Sequence, residues 1–128
     1  MLGDPLDDTR WALDYLTLDG VSHLVNGRRI PEIAFLDGRV TGDDGVNLGE
    51  GTYRLRGEAL SIEIEPVTSL PYPPTRLPEH DVFDYLRAAT SATVHGDFLH
   101  IRIAGPPGDE RGGADELVYR WEVMGSPA

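Results

Sequence analysis

The stretch ALSIEIEP, residues 59 to 66, sets Leu60, Ile62 and Ile64 against Ser61, Glu63 and Glu65 without a break. A period of two belongs to a β-strand with one buried face; a helix would scatter the same residues around its axis. The alternation returns in FLHIRI, where Leu99, Ile101 and Ile103 oppose His100 and Arg102, and in ELVYRWEV, where Leu117, Tyr119, Trp121 and Val123 share a face. Shorter versions occur at Trp11, Leu13 and Tyr15, at Ile33 and Phe35, and at Tyr53 and Leu55. Between them stand Asp19-Gly20, Asp37-Gly38, Gly57-Glu58 and Gly96-Asp97, with a break at Asn26-Gly27. Such pairs tolerate the left-handed backbone of tight hairpin turns, so the chain reads as consecutive antiparallel strands. Leu60, Ile62, Ile64, Leu99, Ile101 and Ile103 are expected in the core.

Two segments break this pattern. Five prolines between Pro66 and Pro78 remove amide donors and hold the backbone extended, which makes this section a crossing loop. In PEHDVFDYLRAAT the spacing changes: Val82, Phe83, Leu86 and Ala89 fall on one helical face, with Glu79 and Asp81 at the amino end and Arg87 near the other. One amphipathic helix is predicted over about residues 79–90. The expected architecture is mainly β with one α-helix: a small antiparallel barrel-like or strongly bent sheet of about seven to nine short strands, the helix covering one end. The polar PPGDERGGAD segment is expected to be a loop. One domain, residues 9–124, would lie between an N-terminal tail, 1–8, and a C-terminal tail, 125–128; a chain of 128 residues can bury one core and not two.

With no cysteine, that core must be held by packing, without disulfides, thiolate metal sites or a cysteine nucleophile. The net charge of -11 repels nucleic-acid backbones and anionic membranes, so nucleic acid is not an expected partner and a basic protein is the favoured one. No apolar run is long enough to span a membrane, and the first ten residues lack a basic start and an apolar centre. The sequence as written reads as cytoplasmic, with an envelope location if it is a processed fragment. A monomer is expected.

The stretch GRVTGDDGVNLGEGTYRLRG, residues 38 to 57, is the richest in glycine and in clustered oxygen atoms. A calcium hand needs ligands at alternating positions with a glycine sixth and a glutamate twelfth; Asp43, Asp44, Asn47 and Glu50 miss that register. A phosphate-binding loop would end in Gly-Lys-Ser/Thr, and the chain has no lysine. The stretch is better read as a bend, its glycines allowing positive φ or close approach while Asp44 and Asn47 bond nearby amides. His23, His80, His95 and His100 show no zinc spacing, although His95 and His100 could meet across their hairpin. Ser22, Ser61, Ser69, Ser91 and Ser126 lack a nucleophile elbow, and Glu63 and Glu65 lie on a solvent face. No catalytic, metal or cofactor residue is assigned. In SLPYPPTRLP, Tyr72 with Pro73 and Pro74 forms a stiff ridge, the candidate partner-binding loop.

Trp11-x-Leu13, the Asp-Gly turn, Pro31 leading to Phe35, the glycine-rich stretch, the helix with Phe83 and Leu86, and VHGDFLHI together resemble the META domain, or HslJ-like, family over about residues 9 to 123. Gly42, Gly45, Asn47, Gly51 and Tyr53 are similar to its signature of Gly, then Gly-Cys-Asn, then Gly-x-Tyr. Val46 stands where that signature has cysteine, and Tyr72 falls near the place of the family's second cysteine, so a redox role for such a pair is excluded here. The resemblance implies a compact β fold with an accessory helix, in a family named for heat-shock and virulence-associated members whose activity is undefined. The expected function is a non-enzymatic, stress-associated module contacting a protein or an envelope component. The rival is a carrier of a small apolar ligand such as a lipid, held in a barrel cavity.

Overall fold

The computed structural model describes residues 4–25, 29–104 and 115–122. Within them run nine strands: β1 (Thr9–Leu18), β2 (Val21–Leu24), β3 (Glu32–Leu36), β4 (Arg39–Asp43), β5 (Leu48–Arg56), β6 (Ala59–Pro66), β7 (Ala89–His95), β8 (Phe98–Ile103) and β9 (Glu116–Trp121). A 3-10 turn (Pro78–Asp81) leads into helix α1 (Val82–Arg87). All pairings are antiparallel; β1 and β3 to β9 follow one another around a ring that β9 closes by pairing with β1. Eight strands thus make a closed barrel, and β2 pairs with β1 from Tyr15 to Leu18 as a ninth, outside it. Asp19 and Gly20 have φ of 53° and 80°, and Asp37 and Gly38 have 51° and 78°; two successive positive φ values match the twist of a tight hairpin.

Strand parity decides what fills the barrel. Leu60, Ile62 and Ile64 on β6 and Leu99, Ile101 and Ile103 on β8 all face inward and are at most 4% exposed, as their alternation predicts. Trp11, Phe35, Tyr119 and Leu117 join them, and an eight-stranded ring is just wide enough for such side chains to fill it. On β1 the simple alternation fails: a bulge between Leu13 and Tyr15 puts Leu16 into the core in place of Tyr15. On β9, Trp121 is 39% exposed although it shares parity with Tyr119, and Val123 lies outside the described residues.

The helix is shorter than predicted. It ends at Arg87, where the Ala88 amide bonds the Tyr85 carbonyl and tightens the last turn; Ala89 already pairs with Ile103 as the start of β7. Its position repairs a split in the wall, because β6 and β7 are bridged only at Ala59 and Ser91. Beyond that point α1 lies along β6, with the Arg87 Nη1 donating to the Ile64 carbonyl at 2.7 Å. Phe83 enters the barrel over Gly49, where a Cβ would stand 2.8 Å from the ring. The segment expected as an N-terminal tail is also structured from Asp4 onward. The Asp4 carboxylate accepts the amides of Leu6 and Asp7, and Leu6 has no exposed surface. The Asn26-Gly27 break, the polar loop at 105–114 and the C-terminal tail at 125–128 lie outside the described residues.

Candidate functional site: a moored rim

One end of the barrel gathers the loop between β4 and β5, the proline-rich crossing loop and the 3-10 turn. Gly45 has φ of +91°, and a Cβ there would sit 3.3 Å from the Arg29 carbonyl and 3.8 Å from the His80 ring, so both the turn and the packing call for glycine. This turn aims two amides at Asp44: Val46 and Asn47 donate to its Oδ1 at 2.9 and 2.6 Å. Its other oxygen accepts the Tyr72 hydroxyl at 2.5 Å. Asn47 holds the same loop: its Oδ1 accepts the Leu70 amide at 2.6 Å and the Thr68 hydroxyl at 2.9 Å, and its Nδ2 donates to the Leu70 carbonyl at 3.0 Å. A prolyl stretch short of amide donors is thus tied down by side chains from the neighbouring loop.

The Tyr72 ring has two close neighbours. The Arg76 guanidinium lies 3.9 Å from its ring centroid, and the His80 ring is 5.5 Å away. Burial, and then the bond to Asp44, pushes the Tyr72 phenol above its ordinary value. His80 Nδ1 accepts the Leu77 amide at 3.0 Å, which places the proton of the neutral ring on Nε2. Asp43 accepts the amides of Gly45 and Glu32 and lies 3.7 Å from Arg29; burial raises its pKa, and these partners oppose that rise. Glu79, read from the sequence as a charge at the helix start, is 2% exposed, with no hydrogen-bond partner for Oε2 among the described residues.

Of the sequence-predicted residues, the rim brings together Gly45, Asn47 and Tyr72, with Pro73 and Pro74 exposed beside Tyr72. Gly42 and Gly51 lie in the barrel wall, where added Cβ atoms would meet main-chain oxygens of Glu32 at 2.9 Å and Glu63 at 1.7 Å. Tyr53 sits apart, donating to Asp4 at 3.0 Å and packing edge-on against Phe35; burial, then Asp4, raises its pKa. The reach of Tyr72 to Asp44, 28 residues away, has no local signal in the sequence. His95 and His100 do meet, with ring centroids 5.8 Å apart, and His100 Nδ1 lies 3.5 Å from Glu116. Among the described residues no group of three His, Asp or Glu side chains is placed to hold a metal.

Asp44 and Asn47 are thus engaged within the protein, and apolar side chains stand exposed beside them: Leu48, Val67 and Leu70 are 45 to 57% exposed. The model of the META domain family matches residues 4–107. Two solved structures share the fold. One is the NMR structure of a protein from Burkholderia xenovorans, with TM-score 0.65 and 18% identity, covering 95% of this chain and 92% of that one. The other is the crystal structure of a duf4847 family protein from Bacteroides vulgatus, with TM-score 0.60 and 14% identity, covering 91% and 94%. No curated protein matches the chain in sequence.

Proposed function

The chain belongs to the META domain family, for which no catalytic activity is known, and from that premise we propose that it is a non-catalytic binding module whose contact surface is the moored rim. One observation carries the reading: the crossing loop is tied by Asn47 and Asp44 in an arrangement that presents Leu70, Pro71, Pro73 and Pro74 to solvent. Ordering such a loop in advance removes much of the entropic cost of binding. The carrier reading finds less support, because the barrel axis is occupied by Trp11, Phe35, Tyr119 and the aliphatic rows of β6 and β8. In the cell the module would serve a stress-linked complex, as the family resemblance implies, with a basic protein partner favoured by the charge of -11.

The test is site-directed photo-crosslinking in native extract. A photoreactive residue at Leu70 should give a discrete adduct, and one at Glu58, on the far β5–β6 turn, should not. The adducted protein, once purified, should bind the wild type and lose binding to Leu70→Ser. Equal labelling from both positions would sink the rim as a contact surface. Native mass spectrometry of the isolated protein covers the rival: a bound apolar ligand of fixed mass would favour the carrier.

A further inference from the structure

Below the rim, on the outer face of β3, β4 and β5, lies a groove of about 300 Å³. Its floor is made of small side chains, Ala34 and Thr41 among them, and its upper wall is the exposed pair Leu48 and Val67. The charges along it are unequally matched. Arg10 lies 3.3 Å from Glu32 and Arg29 lies 3.7 Å from Asp43, while Glu50 has no ion-pair partner among the described residues. Glu50 stands directly across from Glu65 in the β5–β6 ladder, a like-charge pairing that disfavours the sheet locally; of the two, Glu65 alone is ion-paired with Arg87, at 3.8 Å, and Arg87 also pairs with Asp84. Leu48 and Glu50 project from one face of β5 two residues apart, about 6.7 Å along the strand.

Resting on the reading of the rim as a binding surface, we propose that this groove docks an extended segment of a basic protein. One apolar side chain of that segment covers Leu48 and Val67, and a lysine or arginine two residues along reaches Glu50. The repeat of an extended partner equals that of β5, so both contacts form in one register. Charge complementarity selects the partner. A cation at Glu50 relieves its repulsion with Glu65, and the -11 field draws a basic protein in while turning away anionic lipid and nucleic acid.

The probes are three capped heptapeptides: one with leucine and, two residues on, lysine; one with glutamate replacing the lysine; one with serine replacing the leucine. In amide-resolved NMR titrations the first should shift Thr41, Leu48, Glu50 and Val67 saturably, with an affinity about fivefold or more above either control. Glu50→Gln, an exposed change whose fold the same spectra verify, should bring the lysine and glutamate peptides within about twofold of each other. Leu48→Ser should abolish the preference for leucine over serine. Absence of any saturable shift, equal affinities, or shifts spread over all the acidic faces would overturn the proposal. Shifts confined to Leu70 and Tyr72 would remove the groove and leave the rim; failure of the Leu70 crosslink with the groove shifts intact would remove the rim and leave the groove.

Discussion

Asp44 is a carboxylate with no exposed surface, and it survives there because the Val46 and Asn47 amides and the Tyr72 hydroxyl converge on it. Bonds to an ionised acceptor are stronger than neutral ones, and leaving such an acceptor short of a donor costs more than the bond itself contributes. Tyr72→Phe should therefore destabilise the protein by about 1 to 3 kcal/mol at neutral pH, measured by denaturant unfolding. The pH dependence has a definite sign. Folding raises the Tyr72 pKa above 10.0, so the native state keeps a proton that the unfolded chain releases; this stability is fully present below pH 10.0 and is lost as pH rises toward the folded value. The gap between wild type and Tyr72→Phe should narrow above that pH. A gap that stays constant or widens would show that the hydroxyl does not hold the loop. Half of this cluster was legible in the sequence: a Gly-rich bend around Asp44 predicts the local amide bonds it accepts, whereas the Asn47 side chain, read the same way, bonds Thr68 and Leu70 of the crossing loop instead. The other half was not, because which phenol reaches Asp44 is set by the path of a loop, and a path has no residue spacing to read.

For the strands, legibility followed burial. On β6 and β8 the inward side chains are buried and the others are exposed apart from a half-buried His100, so parity alone tells the core side chains from the rest. On β1 a bulge shifts the parity after Leu13, and no residue between Leu13 and Tyr15 announces it. The helix was legible in its apolar face and not in its end, because Ala88 and Ala89 are strong helix formers and pairing of Ala89 with Ile103 overrides that local preference. The glycines of β5 show a further limit: their number signals a bend, but only the three-dimensional wall shows which one has no room. At Gly51 a Cβ would stand 1.7 Å from the Glu63 carbonyl oxygen, a main-chain atom that can move only with the sheet. Gly51→Ala should cost about 3 kcal/mol or more in chemical denaturation. Gly57→Ala, at a turn with φ of +59° and nothing within 4 Å, should cost about 1 kcal/mol. Equal costs would mean that the β5–β6 wall yields freely at Gly51.

At the scale of the whole molecule the dominant fact is 22 acidic side chains against 11 basic ones. The ion pairs among the described residues do not offset this, since pairs such as Arg76–Asp81 and Arg10–Glu32 are largely exposed and contribute little each. Like charges on so small a body lie within a screening length of one another at low salt, where that length is about 30 Å, and many are separated at physiological salt, where it is about 8 Å. Compaction brings the carboxylates together and unfolding disperses them, so screening favours the folded state. Raising sodium chloride from about 10 to about 150 mM should therefore raise the melting temperature by a few degrees, on the order of 1 kcal/mol for a domain of this size. Calcium should add nothing beyond another divalent ion at matched ionic strength, because both oxygens of Asp44 and the Oδ1 of Asn47 are already taken by protein donors. A melting temperature that is flat or falls with sodium chloride would mean that attractive pairs outweigh the surplus, and a saturable, calcium-selective rise would mean that the loop opens to release its carboxylates to an ion.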